Sequence, residues 1–294
     1  MYPDEFDYDR PETVDEAIDL LAEHPEAEVL AGGHSLLPTM KSGLASPDRL
    51  VDISRIEGMR GIDHQDGTVA IGGLTNYATV DESDVVRENV PVFAEAAHAI
   101  GDVQVRNRGT VGGNLAHADP ASDLPAAALA ADATMVVRGP DGERRVDADD
   151  FFFGMYATDV AEDELLTHVE FPARPTATGA YAKKPSPSSG YAMVGVAVSL
   201  TVDAGTVEHV GVAANGIMDH GVRLDPVEEV LRGTTPDDDL VRRAAESAAD
   251  ELDEMMMMDD LQASAAFRAQ LLERYAERAL REAGDGTDVI AGSA

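Results

Sequence analysis

The chain of 294 residues contains no cysteine and no tryptophan. Without thiols it carries no disulfide framework, no thiolate metal site and no iron–sulfur cluster. Basic residues are scarce: 22 Lys and Arg stand against 56 Asp and Glu, a formal net charge of −34. The only lysines are Lys41, Lys183 and Lys184. Such a balance argues against nucleic-acid and anionic-membrane partners, because neutralising phosphates takes a basic stripe. No run of about eighteen apolar residues exists, so membrane insertion is not expected. The segment Met1-Tyr2-Pro3-Asp4-Glu5 lacks the basic and apolar regions of a signal peptide, which points to a cytoplasmic protein.

Familiar catalytic signatures are missing too. There is no G-x-G-x-x-G, no G-x-x-x-x-G-K-[ST], no H-E-x-x-H and no G-x-S-x-G. His34 and Ser35 are adjacent, and neighbours in sequence rarely face each other as base and nucleophile. His117 and Asp119 lack a third partner in sequence for a metal. No catalytic residue and no metal ligand set is assigned.

The acidic residues are spread along the chain and not massed in one tail. That suits a halophilic cytoplasm, where a Debye length of about 3 Å near 1 M salt quenches self-repulsion. Dilution into low salt is expected to abolish the circular dichroism; an unchanged spectrum would contradict it.

What the chain does have is two glycine pairs in similar settings. Ala31-Gly32-Gly33-His34-Ser35 and Thr110-Val111-Gly112-Gly113-Asn114 each follow extended chain and lead into a small polar residue. Glycine lets main-chain N–H groups approach a ligand, and successive N–H groups form an anion nest. Ser35 and Asn114 can add side-chain donors. Asp123, a carboxylate, is suited to accepting from ribityl or ribose hydroxyls. These residues suggest a nucleotide-like ligand with its diphosphate between two loops, without choosing the ligand.

The expected organisation has two parts. Thr13 to Glu16 has the form of a capping box before a helix, and Glu28–Ala31 and Arg49–Ile53 read as strands of a small parallel sheet. Pro38 fits the first turn of a helix over 39–44. Asp66-Gly67, Pro140-Asp141-Gly142 and Asp203-Ala204-Gly205 mark hairpins. Thr75 is the expected cap of a helix beginning near Tyr77, and helices are expected over 91–100 and 125–131. Leu165–Phe171 reads as a strand. The Pro- and Ser-rich stretch 185–190 marks a loop near the start of a second domain. Residues 236–283 read as almost continuous helix, with the run Met255–Met258 as apolar filler.

The wider wording is more specific. Ala31-Gly32-Gly33-His34-Ser35-Leu36-Leu37-Pro38-Thr39-Met40-Lys41, then Pro47 and Leu50-Val51-Asp52-Ile53, resembles the flavin-binding medium subunit of the molybdenum hydroxylases, the carbon monoxide and xanthine dehydrogenase type. Val105 to Ala116, Asp119 to Pro125, Gly190 to Val198 and Ser264 to Arg268 carry the same resemblance, in order, over nearly the whole chain.

The resemblance implies an α+β fold. A PCMH-type FAD-binding domain would occupy 1–176, in subdomains of about 1–56 and 57–176. A C-terminal domain of a small antiparallel sheet plus helices would occupy 177–285, with a tail at 286–294. It implies noncovalent FAD. Ala31, Gly32, Gly33, His34, Ser35 and Leu36, with Thr110, Val111, Gly112, Gly113 and Asn114, would hold the cofactor's pyrophosphate region. Ile100 would be an apolar contact beside the flavin ring, and Asp123 a carboxylate contacting FAD. Leu166 and Lys183 would lie near the flavin, and Tyr191 would cover one face of the ring. Partners would be a large molybdopterin-binding subunit and a small [2Fe–2S] subunit, in a dimer of heterotrimers. Electrons would reach the FAD from the clusters and leave to an external acceptor. Gly-Gly-His also resembles oxidases of the same broad fold that bind FAD covalently through a loop histidine, and a cofactor-free assembly subunit is a third reading.

Overall fold

The computed structural model describes residues 2–285; the expected tail at 286–294 lies outside the described residues. The first sheet is parallel and three-stranded, with Arg49–Asp52 between Asp7–Asp9 and Glu28–Leu30. Its helix, Val14–Glu23, starts where Thr13 accepts from the Glu16 N–H at 3.2 Å. Glu16 reaches back to the N–H of Glu12, one residue before the position a capping box prescribes. Ala17, Ile18 and Leu21 then pack on Val51, Ile53 and Ile56.

The second sheet is antiparallel and five-stranded, in the order Ile62–Gln65, Thr68–Gly72, Leu165–Pro172, Thr134–Gly139, Gly142–Asp147. The hairpin at Asp66-Gly67 has both residues at positive φ, 50° and 79°, as a type I′ turn requires. Helices Pro91–Ala99 and Asp123–Ala130 pack beside this sheet; the first buries Val92, Phe93, Ala94, Ala96 and Ala97, and every residue of the second is buried. The second helix begins two residues before Pro125, which leaves Asp123 in its first turn.

A third, antiparallel sheet has the order Thr178–Pro185, Ala192–Asp203, Thr206–Asn215, Val222–Arg223. The tail helix Ala265–Asp285 covers one face, with Leu272, Ala276, Ala279 and Leu280 in the core. The other face meets the two alanine-rich helices of the preceding region. A Cβ at Gly211 would lie 2.1 Å from the Ala130 carbonyl oxygen, so only glycine admits this contact. Arg223 ties the regions electrostatically: it bonds Asp132, Asp149 and the Leu129 carbonyl on one side and Glu228 on the other.

The sequence expectations differ from this in identifiable ways. Asn76, not Thr75, caps the helix Tyr77–Glu82, accepting from Thr79 at 2.9 Å; Thr75 is spent on the Gly61 backbone. The helix after the first glycine pair is Leu36–Ser42, three residues earlier than Pro38 suggested. The expected continuous helix at 236–283 is two helices, Asp238–Glu246 and Ala265–Asp285. Asp253 and Asp260 break the stretch between by accepting from backbone N–H groups two or three residues on. Of the methionine run, Met257 fills the core, while Met255 and Met256 are exposed. Among the described residues, no helix is long and apolar enough to cross a membrane.

Candidate functional site

The two glycine pairs abut at the edge of the first sheet. Strand Glu28–Leu30 delivers the chain into Gly32-Gly33, and Gly33 turns it at φ 74°. A Cβ at Gly32 would lie 2.3 Å from the carbonyl oxygen of Arg108, so this glycine is required by the closeness of the second segment. Ala31 and Gly113 meet similarly, 3.3 Å from Cβ to the position a Cβ would take. Between the loops and the second sheet lies a cavity of about 790 Å³. That is within the size range of small-molecule and cofactor pockets, about 300–1,000 Å³.

Hydrogen-bond accounting separates the two pairs. The N–H groups of Gly32, Gly33, His34, Ser35 and Leu36 donate to no acceptor among the described residues. Five consecutive free donors at a cavity wall form an anion nest. The second pair is not a loop: it opens the helix Val111–His117, with Thr110 as N-cap. Val111 donates to the Thr75 carbonyl and Gly112 to the Gly73 carbonyl; Gly113 donates to the Thr110 hydroxyl and Asn114 to the Thr110 carbonyl. The second nest expected from sequence is therefore already satisfied internally. Gly112 serves contact instead: its Cβ would lie 2.8 Å from the Cα of Gly73.

Asn114 is likewise committed. Its Nδ2 donates to the Tyr77 hydroxyl at 3.0 Å, and its Oδ1 accepts from the Ser122 hydroxyl at 2.7 Å. Burial pushes the Tyr77 hydroxyl well above its ordinary pKa, so it stays neutral. Asn114 thus braces the cavity wall, in addition to lining it.

Of the other expected residues, Leu166 lines the cavity from the strand Leu165–Pro172. Ile100 does not line it; it caps the helix Pro91–Ala99 and is buried in the main core. Asp123 and Lys183 do not line it either. They form a buried ion pair, with Nζ at 3.2 and 3.0 Å from the two carboxylate oxygens. The Tyr181 hydroxyl donates to Asp123 at 2.6 Å. Burial pushes the Asp123 carboxyl up to about 6, against the pull of Lys183 and Tyr181. Tyr191 is 41 % exposed and sits beside Ser35; burial and then Asp119 push its phenol's pKa up, against the pull of Ser35.

Several lining residues were not singled out from sequence. Gly73, Leu74 and Tyr77 enter from the pair Gly72-Gly73 and its helix, and Tyr156 lies 4.9 Å, at a tilt, from the ring of His117, which the sequence raised only as a metal ligand. Burial lowers the His117 pKa, so its ring is neutral at pH 7. Asp119 accepts from the Ala121 N–H at 2.9 Å and so caps its own loop. The Gly72-Gly73 pair was the available signal for this wall.

Taken together, five free backbone donors, a glycine with no room for a Cβ and a pocket of cofactor size fit a bound dinucleotide diphosphate. Residues 4–174 match the FAD binding domain in molybdopterin dehydrogenase, and residues 179–283 match the CO dehydrogenase flavoprotein C-terminal domain. The chain is 38 % identical to the carbon monoxide dehydrogenase medium chain of Hydrogenophaga pseudoflava over 285 residues, 96 % of this chain and 98 % of that one. It is 34 % identical to the glyceraldehyde dehydrogenase medium chain of Sulfolobus acidocaldarius over 282 residues, 96 % of this chain and 99 % of that one. The solved carbon monoxide dehydrogenase of H. pseudoflava, in the form lacking the Mo-pyranopterin moiety, superposes with a TM-score of 0.93, covering 97 % of this chain and 99 % of that one at 38 % identity. These matches support a medium flavin subunit and neither the covalent-flavin oxidase nor the cofactor-free assembly subunit.

Proposed function

The chain belongs to the family of FAD-binding medium subunits of molybdenum hydroxylases, and from that premise we propose which of its residues hold FAD and what the protein does. The observation that carries the assignment is the row of free donors at Gly32–Leu36. Those N–H groups hold the pyrophosphate, with the Ser35 hydroxyl beside them. The second segment, Thr110–Asn114, supplies the wall that fixes how near the first loop can come. Tyr191 stands at the edge of this wall as the ring-covering aromatic, neutral at every relevant pH. Lys183 and Asp123 present a buried charge pair behind it; Leu166 shapes the apolar side, and Ile100 backs it from the core.

When bound, FAD supplies redox chemistry that no side chain has, accepting electrons one at a time and passing them on. The protein's work is binding, orientation and exclusion of water. No acid–base pair is needed for that, and none is assigned. His34 is exposed in the nest and is assigned to noncovalent binding only.

The relatives' names as medium chains and subunits support partner subunits: a large one holding the molybdenum centre and a small one with two [2Fe–2S] clusters, assembled as a dimer of heterotrimers. The absence of cysteine fits a chain that leaves the clusters to a partner. The domain division proposed is 1–176 and 177–285: the first two sheets fall before the boundary and the third after it, with Tyr181, Ala197 and Ala213 joining the core of the first part. The spread of acidic residues and near-absence of lysine support a halophilic, cytoplasmic setting.

Assembly gives the direct test. The chain co-expressed with its molybdenum and iron–sulfur partners is expected to show flavin bleaching on addition of the complex's reducing substrate. The chain alone with the same substrate is expected to stay yellow. Bleaching of the isolated chain would mean that it has its own substrate site and is not a relay.

A further inference from the structure

Arg268 is one of the most buried charged residues of the chain, its side chain 3 % exposed, and it lies outside the cavity. It enters from the first turn of the tail helix Ala265–Asp285. One terminal nitrogen donates to the carbonyl oxygens of Met193 and Gly216, the latter at 2.7 Å; the other donates to Asp260 at 2.7 Å. A guanidinium presents its donors in a fixed fork, so the two carbonyls are held in one relative position. Gly216 has φ 77°, and a Cβ there would lie 2.6 Å from the Met193 oxygen, so no other residue fits under the fork.

The two clamped strand ends are the ones that grip the site. The N–H of Gly216 donates to the Pro120 carbonyl at 2.7 Å, and the N–H of Ala192, next to Tyr191, donates to the Ala121 carbonyl at 3.1 Å. The following residue, Ser122, donates to Asn114, which lines the cavity and braces Tyr77. Hydrogen bonds joined by single steps of backbone thus run from the tail helix, through the third sheet and the Asp119–Asp123 loop, into the wall of the cavity.

We infer that Arg268 is a positioning residue for the flavin site: by clamping the Met193 and Gly216 carbonyls it sets the Asp119–Asp123 loop and Tyr191 against the cavity. The inference rests on the FAD reading of that cavity. It makes the tail helix part of the flavin site without touching the cofactor. Substituting the arginine leaves the two carbonyls without this donor and Asp260 with only its backbone donors Gln262 and Ala263, so strand ends are expected to shift where they meet residues 120 and 121.

The test uses the full chain at high salt, with FAD titrated by fluorescence and unfolding followed by circular dichroism. Arg268→Ala is expected to bind FAD about tenfold more weakly, roughly 1.4 kcal/mol. Its bound flavin is expected to fluoresce more brightly, because Tyr191 no longer covers the ring. Millimolar guanidinium ion, which refills the vacated fork, is expected to restore both. Arg268→Lys, with a single nitrogen in place of the fork, is expected to fall between and decides the question if the alanine variant does not fold. A variant that melts earlier yet keeps wild-type FAD affinity and quenching, with no response to guanidinium, would show a purely structural arginine and overturn the inference. Failure of the unsubstituted chain to bind FAD would instead overturn the cofactor assignment.

Discussion

Gly32→Ala is expected to weaken FAD binding about 100-fold, or roughly 2.8 kcal/mol at 1.4 kcal/mol per decade. The reason is spatial. Gly32 does not sit at positive φ, so alanine is conformationally acceptable there. Its methyl carbon would lie 2.3 Å from the Arg108 carbonyl oxygen and 3.1 Å from that carbonyl carbon, both backbone atoms. No side-chain rotamer relieves such a contact, and one loop must move. Overpacking of this kind costs about 1–3 kcal/mol. Here the displaced segment is the run of free N–H groups itself, so the loss falls on the ligand more than on the fold. Gly58→Ala is the control: nothing lies within 4 Å of its added methyl, and affinity is expected to stay unchanged. Wild-type affinity in Gly32→Ala would remove the close contact of the loops from the account.

Lys183→Met is expected to destabilise the protein by about 3–5 kcal/mol at pH 8, because it strands a buried carboxylate. Asp123 is 5 % exposed and has Tyr181 as its remaining donor. Its pKa, already pushed up to about 6 by burial with Lys183 present, rises further without it. A carboxyl whose folded pKa lies above its unfolded value binds more protons folded than unfolded. Its contribution to stability is therefore fully present below the unfolded pKa and is lost as pH rises through the folded one. The difference between variant and wild type should shrink as pH falls toward about 6 and stay small below it, where protonated Asp123 no longer needs a cation. Denaturant unfolding at pH 8 and pH 5, both at high salt, measures this. An equal penalty at the two pH values would show that Lys183 acts by packing alone.

The parts of this molecule legible in sequence are those set by local rules. The capping residue Thr13, the Asp66-Gly67 turn and the hairpin at Asp203-Ala204-Gly205 all form where the residues put them. The first glycine loop was legible for the same reason: its donors are free because no local partner exists. The second pair misled because Thr110 caps it as a helix and its remaining donors find non-local partners. Thr75 and Gly73, more than thirty residues upstream, take the N–H groups that sequence alone leaves open. Asp123 shows the same limit. Its carboxylate type suggested a ligand contact, while its partners Tyr181 and Lys183 come from a strand about sixty residues on. The resemblance identified the family, but the division of labour between the glycine pairs appears only when backbone donors are paired one by one.

Titration of the purified chain with FAD at high salt is the most direct test of the central claim, that the free donors of the first loop hold a noncovalent flavin dinucleotide. The account predicts saturable one-to-one binding, competition by ADP, whose diphosphate the same loop would grip, and complete release of flavin on denaturation and filtration. A chain that takes up no FAD, or one whose flavin stays attached after denaturation, would contradict it.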